Sequence, residues 1–157
     1  MSADAQDLGA RCLALAEALL DGPYWIADIL TEQVPKDVAG QYFAVDRYFR
    51  QPERLRALRR KQAEILLRLN CRRDMSVSFD SCEHWETNPD PARFADRLEG
   101  LSGADFLRAV FPAEGWMIDI EPDDTYMTVY SRGSGLPEDL RLLCAAEGLF
   151  LWRPPEF

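Results

Sequence analysis

Four carboxylates crowd one short stretch of the chain: Asp119, Glu121, Asp123 and Asp124. Side chains on a strand alternate between faces, so Asp119 and Glu121 share one, and the Pro122-Asp123-Asp124 turn puts the other two at a tip. Such a cluster can hold a hard cation, serve as an acid–base pair, meet a basic partner or keep a sheet face wet. The calcium-loop spacing, with its glycine and terminal glutamate, is not present. A second group, Cys82-Glu83-His84-Trp85-Glu86, contains the one histidine. With Cys71 and Cys82, His84 offers three zinc ligands, but without the paired spacing of a structural zinc site. A Cys–His nucleophile needs a basic setting for its thiolate, and here two glutamates flank the histidine. A third group, Ser131-Arg132-Gly133-Ser134-Gly135, precedes a helix and can offer N–H groups to an anion. It lacks both the phosphate-loop lysine and the dinucleotide glycine pattern, and reads as a flexible connection. No hydrolase elbow, zinc-protease helix motif or kinase set occurs. These residues predict no catalytic site, no metal and no cofactor, and a binding protein rather than an enzyme.

Charge is distributed in blocks. The chain has 157 residues and a formal net charge of −9. Residues 1–46 carry net −6, residues 47–73 net +8, and residues 74–157 net −11. The basic block could meet phosphates, yet the remainder of the chain would repel nucleic acid. Pairing of these arginines with the chain's own acidic half accounts for them without a nucleic-acid partner.

These groups need elements to position them. Leu8, Cys12, Leu15 and Leu19 recur at helical spacing and predict a helix over 4–21, ended by Asp21-Gly22-Pro23. Tyr24, Trp25, Ile26, Ile29 and Leu30 predict a short second helix that stops near Pro35. A third helix is expected over 37–49, with Tyr42, Phe43, Val45 and Phe49 as its apolar residues. Pro52 opens the clearest helix, to about Leu69, with Leu55, Leu58, Ile65, Leu66 and Leu69 buried and Gln62 interrupting the stripe. Met75–Phe79 alternates as a strand. A helix follows at 92–98, and Ser102 is expected to cap another through Phe111. The segments 116–121 and 125–130 form the most secure hairpin, with Tyr126, Thr128 and Tyr130 on one face. Pro137 opens a last helix that Gly148 closes. Leu149–Trp152 is a final strand before Pro154 and Pro155. The second half thus matches a split βαβ, ferredoxin-like order.

Hydrophobic residues make up 47% and charged residues 29%, ordinary globular usage, so disorder is expected only at the ends. The prediction is α+β, a single domain over 1–157, with a mainly helical portion (1–73) packed on a small, mostly antiparallel sheet supplied by 74–157. No apolar run spans a bilayer and the acidic start is no secretory signal, so a cytoplasmic protein is expected. In that compartment the cysteines read as free thiols, with Cys12 and Cys144 acting as small hydrophobes within helices.

In size, acidity, α+β pattern and the stretch from Trp116 to Trp152, the chain resembles the small acidic immunity proteins that bacteria make against secreted (polymorphic and type VI) toxins. No residue motif defines the resemblance, so no family residue is carried over. It implies a stoichiometric inhibitor that occludes the active site of a cognate toxin. From the residues themselves, Asp119, Glu121, Asp123, Asp124 and Tyr126 are expected to face a basic protein partner. Glu83, Trp85 and Glu86 extend that surface. Neither nucleic acid nor a membrane is expected as partner. The alternatives are a small-molecule-binding or regulatory domain using an open sheet face, and an assembly subunit in which the basic helix of one copy meets the acidic half of another.

Overall fold

The computed structural model describes residues 2–31, 40–133 and 135–154. Pro35, Asp37, Ser134 and Pro155 lie outside the described residues. Helix α1 spans Ala3–Leu20, and its first turn is capped by the Ser2 hydroxyl, which accepts from the Ala5 N–H. Helix α2 covers Tyr42–Phe49 and α3 covers Pro52–Asn70, with Pro52 in its first turn. Helices α4 (Pro91–Glu99) and α5 (Glu138–Ala146) are short. Asp90 caps α4 by accepting from the Arg93 N–H, and Gly148, at φ +75°, turns the chain out of α5. No described helix is long and apolar enough to cross a membrane.

The strands are β1 (Tyr24–Asp28), β2 (Ser76–Ser78), β3 (Glu86–Thr87), β4 (Leu107–Phe111), β5 (Trp116–Ile120), β6 (Met127–Ser131) and β7 (Phe150–Trp152). They form one sheet in the order β3-β2-β4-β5-β6-β1-β7, with every neighbouring pair antiparallel. The fold is α+β, with the helical N-terminal part packed on the sheet. Two segments expected as helices are strands. Tyr24–Asp28 is β1, inserted between β6 and β7, and Leu107–Phe111 is β4, inserted between β2 and β5. Both are short runs of mostly buried residues, for which periodicity does not separate strand from helix. Ser102 caps no helix; it closes a turn through its carbonyl, which accepts from the Asp105 N–H. With these two strands in place the ferredoxin-like order does not hold, because β7 pairs with β1 instead of a strand of the second half.

Alternation divides the sheet into two faces. Trp25, Ala27, Ala109, Phe111, Ile118 and Val129 are among the residues that point to the main core. There they meet Ile65, Leu66 and Leu69 of α3, Phe94 and Leu98 of α4, and Leu140 and Cys144 of α5. Burying each such large aliphatic side chain contributes about 2 kcal/mol. On the opposite face α1 seats Cys12, Ala16 and Leu19 on Val110 and Met117. Helix α1 lies against β4, β5 and β6, so this second face is open where β6, β1 and β7 run on beyond it.

Candidate functional site

The open part of the second face forms a groove. Register fixes its floor: Tyr24 lies opposite Tyr130, Ile26 opposite Thr128, and Ile26 opposite Trp152 on the other side. Asp28 and Tyr126 continue these rows by alternation, Tyr42 of α2 stands at one margin, and Leu20, Asp21 and Gly22 at the end of α1 form another. The cavity is about 670 Å³. Four tyrosines, one tryptophan and two aspartates line it, and no lysine or arginine does so among the described residues. The Tyr24 and Tyr130 rings lie 5.8 Å apart at a tilt of 40°. Trp152 is held by its indole N–H, which donates to the Leu30 carbonyl at 3.1 Å. Tyr24 (41% exposed) and Leu20 (42%) present apolar surface at the rim.

Asp28 is the buried charge of this groove, at 7% exposure. The Thr125 hydroxyl donates to its Oδ1 at 3.1 Å and the Ile29 N–H donates to the same oxygen at 2.7 Å. Among the described residues no hydrogen bond reaches Oδ2. Burial holds its pKa above the usual aspartate value; the two hydrogen bonds and Arg50 offset part of that, and Asp46 adds to it. Tyr126, pressed by burial and by the neighbouring Asp124 carboxylate, is pushed up to about 12.

The hairpin tip beside the groove is clamped from beneath. Arg59 of α3 is 2% exposed, and its guanidinium donates to the carbonyls of Glu121, Pro122 and Asp124 at distances from 2.5 to 3.1 Å. Its other end donates to Gln62 Oε1 at 2.9 Å, and Gln62 in turn donates to the Thr125 carbonyl. Removal from water lowers the Arg59 pKa to about 10. Arg50 also donates to the Asp123 carbonyl. Much of the basic block is likewise spent inside the chain, with Arg60 on Glu99, Arg68 on Glu147, and Arg73 on Asp139 and Glu114.

The residues expected to face a partner are divided by the fold. Glu121 and Asp123 are exposed at the tip, Asp124 is half-buried beside them, and Tyr126 belongs to the groove. Asp119 is 8% exposed and taken up by Arg108 of β4, in a paired contact of 2.9 Å from Nε to Oδ1 and 2.8 Å from Nη2 to Oδ2. Burial of this carboxylate is offset by a cation, because register puts Arg108 directly opposite. Glu83, Trp85 and Glu86 do not extend the tip. They belong to the β3 end of the sheet, about 19 Å from β6 at ordinary strand spacing. There Trp85 packs against α1, its indole N–H donates to the Cys82 carbonyl, and Glu86 pairs with Arg93. Glu83 is exposed.

In this loop the ligand atoms of Asp80, Glu83 and His84 lie within 4.8 Å of one another, the group among the described residues with metal-binding spacing. His84 Nδ1 is already bonded to Asp80, and Cys82 lies beside Arg108 Nη1 at 3.5 Å. Cys71 is not part of the group. In the glycine-rich stretch the Ser131 hydroxyl donates to the Gly135 carbonyl and accepts from the Gly133 N–H.

No family model, curated protein or solved structure matches the chain. The site therefore rests on its own geometry. Sequence reasoning missed Asp28, Tyr24 and Trp152 as one surface. The alternation Tyr24-x-Ile26-x-Asp28 would reveal it once 24–28 is read as a strand.

Proposed function

We propose that the chain is a protein-binding module that takes a basic partner against the groove and the adjoining hairpin tip. The observation that carries this reading is a concave aromatic surface with an aspartate in its floor and another at its rim, and no cation lining it among the described residues. Tyrosine and tryptophan supply large contact area at little entropic cost, and their faces attract cations. Glu121 and Asp123 stand exposed beside the groove and extend the negative field that draws a basic surface in. The binding surface is thus Tyr24, Asp28, Tyr126, Tyr130 and Trp152, with Glu121, Asp123 and Asp124 at its side. Asp119 has no part in it. In its most specific form the module is an immunity protein that neutralises a cognate bacterial toxin by one-to-one occlusion. Size, acidity and fold class support that form.

The test is affinity capture with the tagged chain in its native host at low salt, run beside Tyr24→Ala and Tyr130→Ala variants. One basic protein at a one-to-one ratio, lost as salt rises and lost in both variants, is the expected result. Equal capture by the parent and the variants would refute the reading.

A second reading has an observation of its own. The cavity volume falls in the range of small-molecule sites, roughly 300–1,000 Å³. A metabolite that raises the melting temperature of the parent but not of Tyr130→Ala would favour it.

A further inference from the structure

The groove contains a buried acid whose surroundings specify the chemistry of what enters. Asp28 is more than nine-tenths buried, both of its hydrogen bonds fall on Oδ1, and it lines the cavity. A carboxylate in such a position loses solvation that two neutral donors do not replace. Arg50, the arginine whose charge acts on Asp28, makes its hydrogen bonds elsewhere, to the Asp46 carboxylate at 2.9 Å and to the Asp123 carbonyl. Above the floor, Tyr24 and Tyr130 form a tilted pair and Trp152 lies across Ile26 from them. Elsewhere the chain lays arginines on its own aromatic rings, as with Arg54 on Tyr48 and Arg97 on Phe79. Among the described residues none covers a ring of the groove. An arginine side chain that enters past the Tyr24–Tyr130 pair can lay its guanidinium on the Trp152 ring, whose indole N–H reaches Leu30, and meet a carboxylate oxygen of Asp28.

We infer that Asp28 is the anchor point for one arginine side chain of the protein partner, entering past Tyr24 and Tyr130 and lying over Trp152 to reach the carboxylate. This inference rests on the protein-binding reading and names the residue type that the groove selects. Lysine fits less well, because its compact ammonium can meet the carboxylate but cannot stack on the rings.

The probe is acetyl-arginine amide, titrated calorimetrically into the full chain, with acetyl-citrulline amide as its neutral isostere. Citrulline keeps the shape and loses the charge. Saturable binding of the arginine compound is expected, at least tenfold tighter than citrulline and several-fold tighter than acetyl-lysine amide. Asp28→Asn keeps the acceptor for Thr125 and Ile29 and should weaken arginine at least tenfold. Thr128→Lys, which brings an ammonium into the groove from β6, should abolish binding with the carboxylate intact. Equal heats for arginine and citrulline, undiminished binding by Asp28→Asn, or no binding by the parent would each overturn the anchor. The anchor and the wider reading fail separately. Partner capture lost in Tyr24→Ala but kept in Asp28→Asn leaves the module and removes the anchor, whereas capture kept in both removes the module.

Discussion

A carboxylate moved out of water loses solvation that one hydroxyl and one amide only partly restore. Asp28 carries that cost in the fold, and it shows as a pKa raised chiefly by burial, with Arg50 opposing and Asp46 adding to it. A carboxyl whose folded pKa lies above its unfolded value favours folding while protonated. That contribution is complete below the unfolded pKa and is lost as pH rises through the folded one. Asp28→Asn, free of this titration, should therefore melt above the parent at neutral pH, with the gap narrowing as acid protonates Asp28. Thermal melts across the acid-to-neutral range read this directly, and a lower melting point for the variant at neutral pH would contradict it. Arg59 behaves oppositely, because its guanidinium ties three carbonyls of the turn together, of which, among the described residues, only that of Glu121 also accepts from a backbone N–H, that of Asp124. Arg59→Met should cost about 2–4 kcal/mol in urea unfolding. Lysine should not restore it, since a single ammonium does not span the carbonyls of Glu121, Pro122 and Asp124.

At the scale of elements, the hairpin is legible from alternation alone, and Tyr126, Thr128 and Tyr130 do share a face; register adds that Asp119 lies on that same side, opposite Thr128. What alternation did not give was the neighbour. The sequence pattern puts Arg108 in a helix capped by Ser102, which hides its position opposite Asp119 and makes an internally paired carboxylate look like part of a binding surface. The same misreading of β1 hid the groove. Strands buried on both faces lose the polar–apolar alternation that identifies half-buried ones. Helices α1, α3 and α5 are readable because each keeps a polar side and a recognisable boundary in Asp21-Gly22-Pro23, Pro52 or Gly148. The Arg108–Asp119 pair yields a prediction at this scale. Asp119→Ala should destabilise by about 3–5 kcal/mol, because the Arg108 guanidinium is left buried without a counter-charge. The double replacement Arg108→Leu with Asp119→Leu should recover most of that loss. A double-mutant cycle by urea unfolding measures the difference, and strictly additive losses would contradict the pairing.

For the molecule as a whole, the charge blocks read from the sequence are partly reconciled within the fold. Helix α3 lends its arginines to α4, α5 and the hairpin turn, and unneutralised negative charge remains at the tip. Reversing Glu121 and Asp123 together to lysine should slow association with a basic partner several-fold and flatten its salt dependence, with little change in dissociation. Binding kinetics at two ionic strengths separate these effects. An unchanged association rate would take the tip out of the encounter and leave the groove to act alone.

The placement of β1 has a consequence during synthesis. Its partners, β6 and β7, begin at Met127 and Phe150, whereas β1 is complete at Asp28. At a translation rate of about 5–20 residues per second, this strand emerges roughly 5–20 s before either neighbour exists. Through that interval Trp25 and Ile26 have no sheet to enter, and their unpaired backbone invites other strands. The nascent chain therefore carries this strand unpaired through the whole interval between Asp28 and Met127, dependent on whatever shields apolar segments at the ribosome exit.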